Sequence, residues 1–122
     1  MLFRSFGAGV ILWPHGMDVD KQGNVWNADA RSASAAELNQ FPDAAGQGHT
    51  VIKFSPQGKV LLTLGTPGEA GDPPAKFSEP NDALVAPDGS IFVAEAHGAQ
   101  FLDAAGGAGA IGRISKFAPD GK

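Results

Sequence analysis

Among the residues that could do chemistry, His15 has the most suggestive setting, between Pro14 and Gly16 at the start of a short apolar run. An imidazole fixed at the beginning of a strand can direct a ring nitrogen at a metal ion. Because zinc takes three or four protein ligands, His15 would need partners from elsewhere in the fold. The alternative interpretation is a histidine that hydrogen-bonds to the backbone of a neighbouring loop.

A second candidate is the pair Glu95 and His97, which are two positions apart. If the backbone stays extended there, both side chains point to the same side and form a carboxylate–imidazole pair suited to acid–base catalysis. The alternative is a glutamate that caps the strand end beside a solvated histidine. His49 has no partner nearby in the sequence, and it is expected at the surface.

An internal repeat indicates the elements that position these residues. Residues 14–29 align with residues 80–95 without a gap at an offset of 66 residues, and residues 51–59 align with residues 114–122 at an offset of 63. Short β-branched and aromatic runs separated by glycine turns predict strands packed on both faces. Four such strands per unit predict the blades of a β-propeller. Aromatic residues recur at equivalent strand positions and are expected in the core: Trp13, Trp26, Phe54, Phe77, Phe92 and Phe117.

The repeat divides the chain into the end of a preceding blade (1–12), a first blade unit (13–65) and an incomplete second unit (77–122). Since one blade cannot bury both of its faces, we expect missing blades or self-association to cover the open ones. In a four-stranded meander the long loops, 30–48 and 96–112, share one rim. That rim is the predicted face for a small-molecule or peptide ligand. The loops are rich in Ala and Gly, which predicts mobility and few specific contacts.

Composition excludes several classes of partner. The net charge is -4 and the isoelectric point is near 5.1. Because no basic stripe is present, nucleic acid and anionic membranes are not expected as partners. No apolar run approaches the ~20 residues that cross a bilayer. Cysteine is absent, so no disulfide framework is expected.

The pattern Phe77-x-x-Pro80-x-Asp82-x-x-Val85-x-x-Asp88-Gly89-x-Ile91-x-Val93-Ala94-Glu95, with Arg113-Ile114-x-Lys116-Phe117-x-x-Asp120-Gly121-Lys122 after it, resembles NHL repeats. Within that group the chain is most similar to the peptidyl-α-hydroxyglycine α-amidating lyases and their bacterial relatives. The resemblance implies an all-β fold, a partial β-propeller of about two four-stranded antiparallel blades from a six-bladed ring. It also implies a periplasmic or extracellular location for the full-length protein.

By this resemblance, Pro14-His15-Gly16 would supply one of three histidine ligands to a zinc ion, and the Met17 carbonyl would contribute to a calcium site. Zinc would polarise the hydroxyglycine substrate, whose C–N bond breaks to release a peptide amide and glyoxylate. His97 stands where the family has a catalytic tyrosine, so it would serve as a base, or the activity would be lost. Because the other two histidine ligands belong to other blades, this segment alone is expected to be inactive.

Two other interpretations of the function are compatible with the sequence. Pro14-His15-Gly16, Asn24-Val25-Trp26 and Ile111-Gly112-Arg113-Ile114 resemble the blades of streptogramin B lyases, which are also propellers. The chain is also compatible with a non-catalytic NHL propeller that binds ligands or proteins. Two more blade-opening histidines in flanking sequence would favour the amidating-lyase reading over a binding module.

Overall fold

The computed structural model describes residues 4–96 and 112–122, and in this part of the chain seven strands form two antiparallel sheets. The first sheet has the order β1 (Pro14–Val19), β2 (Val25–Asp29), β3 (Thr50–Phe54) and β4 (Val60–Leu64). The second has the order β5 (Pro80–Val85), β6 (Ile91–Glu95) and β7 (Arg113–Phe117). Neighbours in each sheet are consecutive in the chain, as in the meander of a propeller blade. The prediction of an all-β, partial propeller is confirmed.

The core lies between the two sheets, where one face of the first sheet packs on one face of the second. Trp26, Phe77 and Phe117 are buried there, and the rings of Phe77 and Phe117 meet edge to face with their centroids 5.7 Å apart. The core interpretation is confirmed for these three and for Phe54, but it is wrong for Trp13. That side chain is 42% exposed and lies beneath the Arg31 guanidinium, 4.3 Å from the ring centroid.

Contacts between the sheets follow the sequence repeat. The His15 ring meets the Asn81 carbonyl, and Lys21 Nζ donates to the Pro87 carbonyl at 2.7 Å; in both pairs the partners are 66 residues apart. Asp18 accepts the Val85 backbone N–H across the same seam at 2.9 Å. The inner strand of each sheet therefore lies beside its own counterpart.

Gly16 permits this close approach of β1 to β5. A methyl group at position 16 would lie 2.6 Å from the Asn81 carbonyl oxygen and from Asp82 Cα, and it would collide with the Asp82 carboxylate. Two of these three atoms belong to the backbone, so the neighbouring strand cannot move aside as a side chain would. Glycine is required here for proximity, because a side chain would push the sheets apart.

The loop 30–48 is more ordered than its composition suggests. It contains helix α1 (Ala35–Gln40) and a 3₁₀ turn (Pro42–Ala44). Ser34 and Glu37 form a reciprocal capping box at the start of α1, and Arg31 Nη1 pairs with Glu37 Oε2 at 2.9 Å. The expectation of few specific contacts is wrong for this loop. In the described part of the chain, no helix is both long and apolar enough to span a membrane.

Asp20 stabilises the β1–β2 turn from a buried position, with its side chain 3% exposed. It accepts hydrogen bonds from the backbone of Gln22, from both the backbone and side chain of Asn24, and from Trp26 Nε1. Burial by itself would raise the pKa of this carboxyl, but the hydrogen bonds from Asn24 and Trp26 outweigh it and lower the pKa to about 2. The ionised form is therefore the one that supports the fold.

Because this pKa is lower in the folded than in the unfolded chain, the contribution of Asp20 is complete above about pH 5 and is lost as the pH falls toward 2. We expect Asp20→Asn to lower the free energy of unfolding by roughly 2 kcal/mol at neutral pH. The variant's free energy of unfolding should also fall less steeply as the pH is lowered. Urea unfolding between pH 2 and pH 7 measures both effects. Asp120→Asn is the control, since that side chain is 60% exposed. If the free energy of unfolding of Asp20→Asn fell as steeply at low pH as that of the parent, the stabilising role of ionised Asp20 would be contradicted.

Candidate functional site

The His15 imidazole lies at the seam between the sheets, on an irregular stretch of β1. The pairing register of β1 with β2 shifts between Pro14 and Met17, as at a β-bulge, and β5 shifts likewise between Pro80 and Asp82. His15 Nδ1 lies 2.8 Å from the Asn81 carbonyl oxygen. Since a carbonyl can only accept, Nδ1 carries the proton in this bond, and the lone pair of the neutral ring is at Nε2. This is the tautomer in which a metal-ligating histidine is commonly held.

Met17, predicted to offer its carbonyl to calcium, follows on the same strand, and its side chain is 67% exposed. Its register partner on β2 is Asn27. Asn27 is buried and its Nδ2 donates to the Gly16 carbonyl at 3.0 Å. Among the described residues, Asn27 Oδ1 is the buried side-chain atom that lacks a hydrogen-bond partner. An amide oxygen of the type that calcium prefers is thus present on the strand opposite Met17.

Glu95 ends β6 and is buried, 4% exposed. Its Oε2 accepts the Ser78 backbone N–H at 2.7 Å, and its Oε1 pairs with the Arg113 side chain. Arg113 also pairs with Asp72 at 2.8 Å. His97, the other half of the predicted catalytic pair, lies outside the described residues. The proton-transfer role of the pair therefore stays a prediction, and the described partners give Glu95 a structural task.

Asp29 has the same structural role in the first sheet, one repeat unit earlier in the chain. It is fully buried at the end of β2 and accepts the backbone N–H groups of Leu12 and Trp13. Burial raises the pKa of this carboxyl, while the hydrogen bonds from Trp13, Leu12 and Gly48 oppose the rise. Each carboxylate holds the chain just before the inner strand of its own blade. Asp29 thereby fixes the approach to His15.

His49 is buried rather than at the surface, with 7% exposure. Its Nδ1 accepts the Glu79 backbone N–H at 3.3 Å, and both residues have a positive φ of 57°. Burial lowers the pKa of His49, and the charges of Glu79 and Asp29 act against that shift. The imidazole therefore links the end of the first sheet's long loop to the chain that leads into β5. A backbone partner 30 residues away gives no signal in the sequence.

An open cleft of about 450 Å³ lies on the long-loop rim next to β1. Trp13 and Pro14 form one wall, and Glu37 and Phe41 belong to the loop on the other side. Phe41 is 58% exposed. The cleft therefore combines accessible aromatic surface with the residues that immediately precede His15. Within residues 4–96 and 112–122, no group of three or more His, Asp or Glu side chains is arranged to hold a metal ion.

Comparison with known proteins relates the chain to amidating enzymes. A probable peptidyl-alpha-hydroxyglycine alpha-amidating lyase of Caenorhabditis elegans is 33% identical over 92 residues, which is 75% of this chain and 22% of that protein. Peptidyl-alpha-hydroxyglycine alpha-amidating lyase 1 of Drosophila melanogaster is 32% identical over 95 residues, 75% of this chain and 14% of that protein. The peptidyl-glycine alpha-amidating monooxygenase of Mus musculus is 27% identical over 124 residues, 99% of this chain and 10% of that protein.

The chain spans less than a quarter of the length of each of these curated relatives. No protein-family model matches it. The expected resemblance to amidating lyases is confirmed as a sequence relationship.

Proposed function

From this relationship to the peptidyl-α-hydroxyglycine α-amidating lyases, we propose that the chain provides two blades of a metal-dependent lyase with a propeller fold. The substrate would be a peptide ending in α-hydroxyglycine, and the products a peptide amide and glyoxylate. The observation that carries the proposal is the His15 imidazole, whose Nδ1 lies 2.8 Å from the Asn81 carbonyl oxygen at an irregular stretch of inner strand.

His15 would be one zinc ligand, through Nε2. The bond from Nδ1 to the Asn81 carbonyl supports this, because it fixes both the tautomer and the ring plane. One imidazole cannot hold zinc alone, so the remaining ligands would come from other blades of the ring. Bound zinc would supply Lewis-acid polarisation of the substrate oxygen. The described residues would contribute the orientation of one ligand.

Met17 would give a backbone carbonyl to a calcium ion near the ring axis, and the unpartnered Asn27 Oδ1 offers a second oxygen nearby. Calcium takes six to eight oxygen ligands, so this pair would be a minority of the set. The role of such an ion would be structural. It would brace the inner strand that carries His15.

The peptide would bind at the long-loop rim, where the cleft beside Trp13 and Phe41 offers apolar and aromatic surface. Binding to such a cleft would exclude water from one side of the substrate. His97, two positions after Glu95 in the sequence, would act as the base. Glu95 itself is held by Ser78 and Arg113, so its contribution would be to orient this edge of the sheet.

The test is elemental analysis of the full-length protein with and without His15→Ala. We expect about one zinc per molecule in the parent protein and a large loss in the variant, because a three-histidine site loses a third of its ligands. Met17→Leu, which leaves the backbone carbonyl in place, is the matched control and should keep both metals. A parent protein without zinc, or with zinc that His15→Ala leaves unchanged, would favour a non-catalytic binding propeller instead.

A further inference from the structure

We infer that His49 is a positioning residue for His15, acting through the backbone of residues 78–81. This inference rests on the proposed function only for its consequence, which is zinc affinity. The orientation of the His15 ring is a separate property and can be measured without a metal. The two histidines belong to the first repeat unit, and the backbone that connects them, residues 78–81, belongs to the start of the second.

The 78–81 segment carries the carbonyl that His15 uses, and most of its backbone polar groups have partners. Ser78 N–H donates to Glu95, and the Ala96 N–H donates to the carbonyls of both Ser78 and Glu79. Glu79 N–H donates to His49 Nδ1 at 3.3 Å. Pro80 has no N–H to donate. The Asn81 carbonyl then accepts His15 Nδ1. In the described part of the chain, Glu95 and His49 are thus two buried side chains that accept backbone N–H groups of this segment.

Backbone conformation makes the His49 bond more consequential than an ordinary side-chain contact. Glu79 has a φ of 57°, in the left-handed region that non-glycine residues rarely occupy. Such a conformation persists where surrounding contacts impose it. The bond to His49 constrains the amide of that same residue. Without it we expect residues 79–81 to relax, which would move the Asn81 carbonyl away from His15.

In the second repeat unit, neither of the two corresponding sequence positions is a histidine. Asn81 occupies the position that corresponds to His15, at the offset of 66 residues. Gly112 corresponds to His49 at the offset of 63, and it cannot supply a side-chain acceptor. The blade that has a histidine at the opening of its inner strand also has the histidine that supports it. This pairing distinguishes a site-specific role from a general feature of the fold.

The experiment compares three variants of the full-length protein, labelled with ¹⁵N in its histidines. His49→Ala removes the acceptor. His49→Asn keeps a side-chain oxygen and suits a positive φ. Ile52→Ala is the control for general loss of stability, since Ile52 lies on β3, the strand that follows His49, and is buried, 2% exposed. The readouts are the tautomer of His15 from its ¹⁵N shifts, measured without metal, and zinc affinity by titration with zinc alone.

We expect His15 to be the Nδ1–H tautomer in the parent, in His49→Asn and in Ile52→Ala, and to become a mixture in His49→Ala. Zinc affinity should fall about 10–100-fold in His49→Ala and be largely kept in the other two. An unchanged tautomer in His49→Ala, or an equal change in Ile52→Ala, would overturn the inference. A tautomer shift in a protein that binds no zinc would support the positioning role and overturn the zinc assignment of His15.

Discussion

Gly16→Ala is expected to separate the two sheets and to lower the free energy of unfolding by about 1–3 kcal/mol or more. The added methyl would meet the Asn81 carbonyl and the Asp82 backbone at 2.6 Å. These atoms lie in a paired strand, so β5 as a whole must shift. Such a shift would also stretch the bond between His15 and Asn81 and the one between Lys21 and Pro87. Urea unfolding measures the stability loss.

Gly112→Ala is the control, because no atom of the residues that the structure describes lies within 4 Å of a methyl group placed there. It should leave the free energy of unfolding nearly unchanged, because the position is exposed. If Gly16→Ala unfolded at the same urea concentration as Gly112→Ala, the sheets could not approach as closely as described. A tautomer change at His15 in Gly16→Ala would locate the strain at this seam.

Phe77→Ala should cost about 3–5 kcal/mol, the range for deleting a buried aromatic side chain. Phe77 lies before β5 in the chain but is fully buried, packed on Phe117 and close to Gly65. It joins both sheets, so its loss leaves a cavity between them rather than at one edge. Thermal and urea unfolding followed by the fluorescence of the buried Trp26 would report it.

Phe77→Leu keeps most of the apolar volume and should cost much less than the alanine variant. Phe41→Ala provides a surface comparison, because that ring is 58% exposed, and it should leave stability nearly unchanged. A Phe77→Ala variant no less stable than Phe41→Ala would contradict the position of Phe77 in the core.

Features of the fold that follow from the local pattern of residue types could be predicted from the sequence. The offset of 66 residues aligned Trp26 with Phe92 and Asp29 with Glu95, and the structure gives the members of each pair the same place on their sheets. Helix α1 was missed although Ser34 and Glu37 stand at capping-box spacing. The Ala- and Gly-rich loop around them outweighed that short signal. The burial of His49 was also missed.

The burial of His49 could not be predicted, for a physical reason. The groups that hold His49 and Asp29, and one of the two that hold Glu95, are backbone N–H donors, which every residue except proline possesses. No residue type marks them, so only the three-dimensional approach of two segments identifies the bond. The same holds for Gly16, whose importance comes from an atom on another strand. Strand periodicity encodes which residues face the core, but it does not encode these pairings.

The contacts that join His15 to Asn81 and Lys21 to Pro87 have a consequence for the evolution of the chain. They connect equal positions of successive units, which makes the interface heterologous: the front of one unit meets the back of the next. A unit added by gene duplication would therefore inherit a surface that already matches its neighbour. The chain could therefore lengthen by whole units that form the same contacts again. A single unit could still acquire residues of its own, as the first unit has His15 and His49.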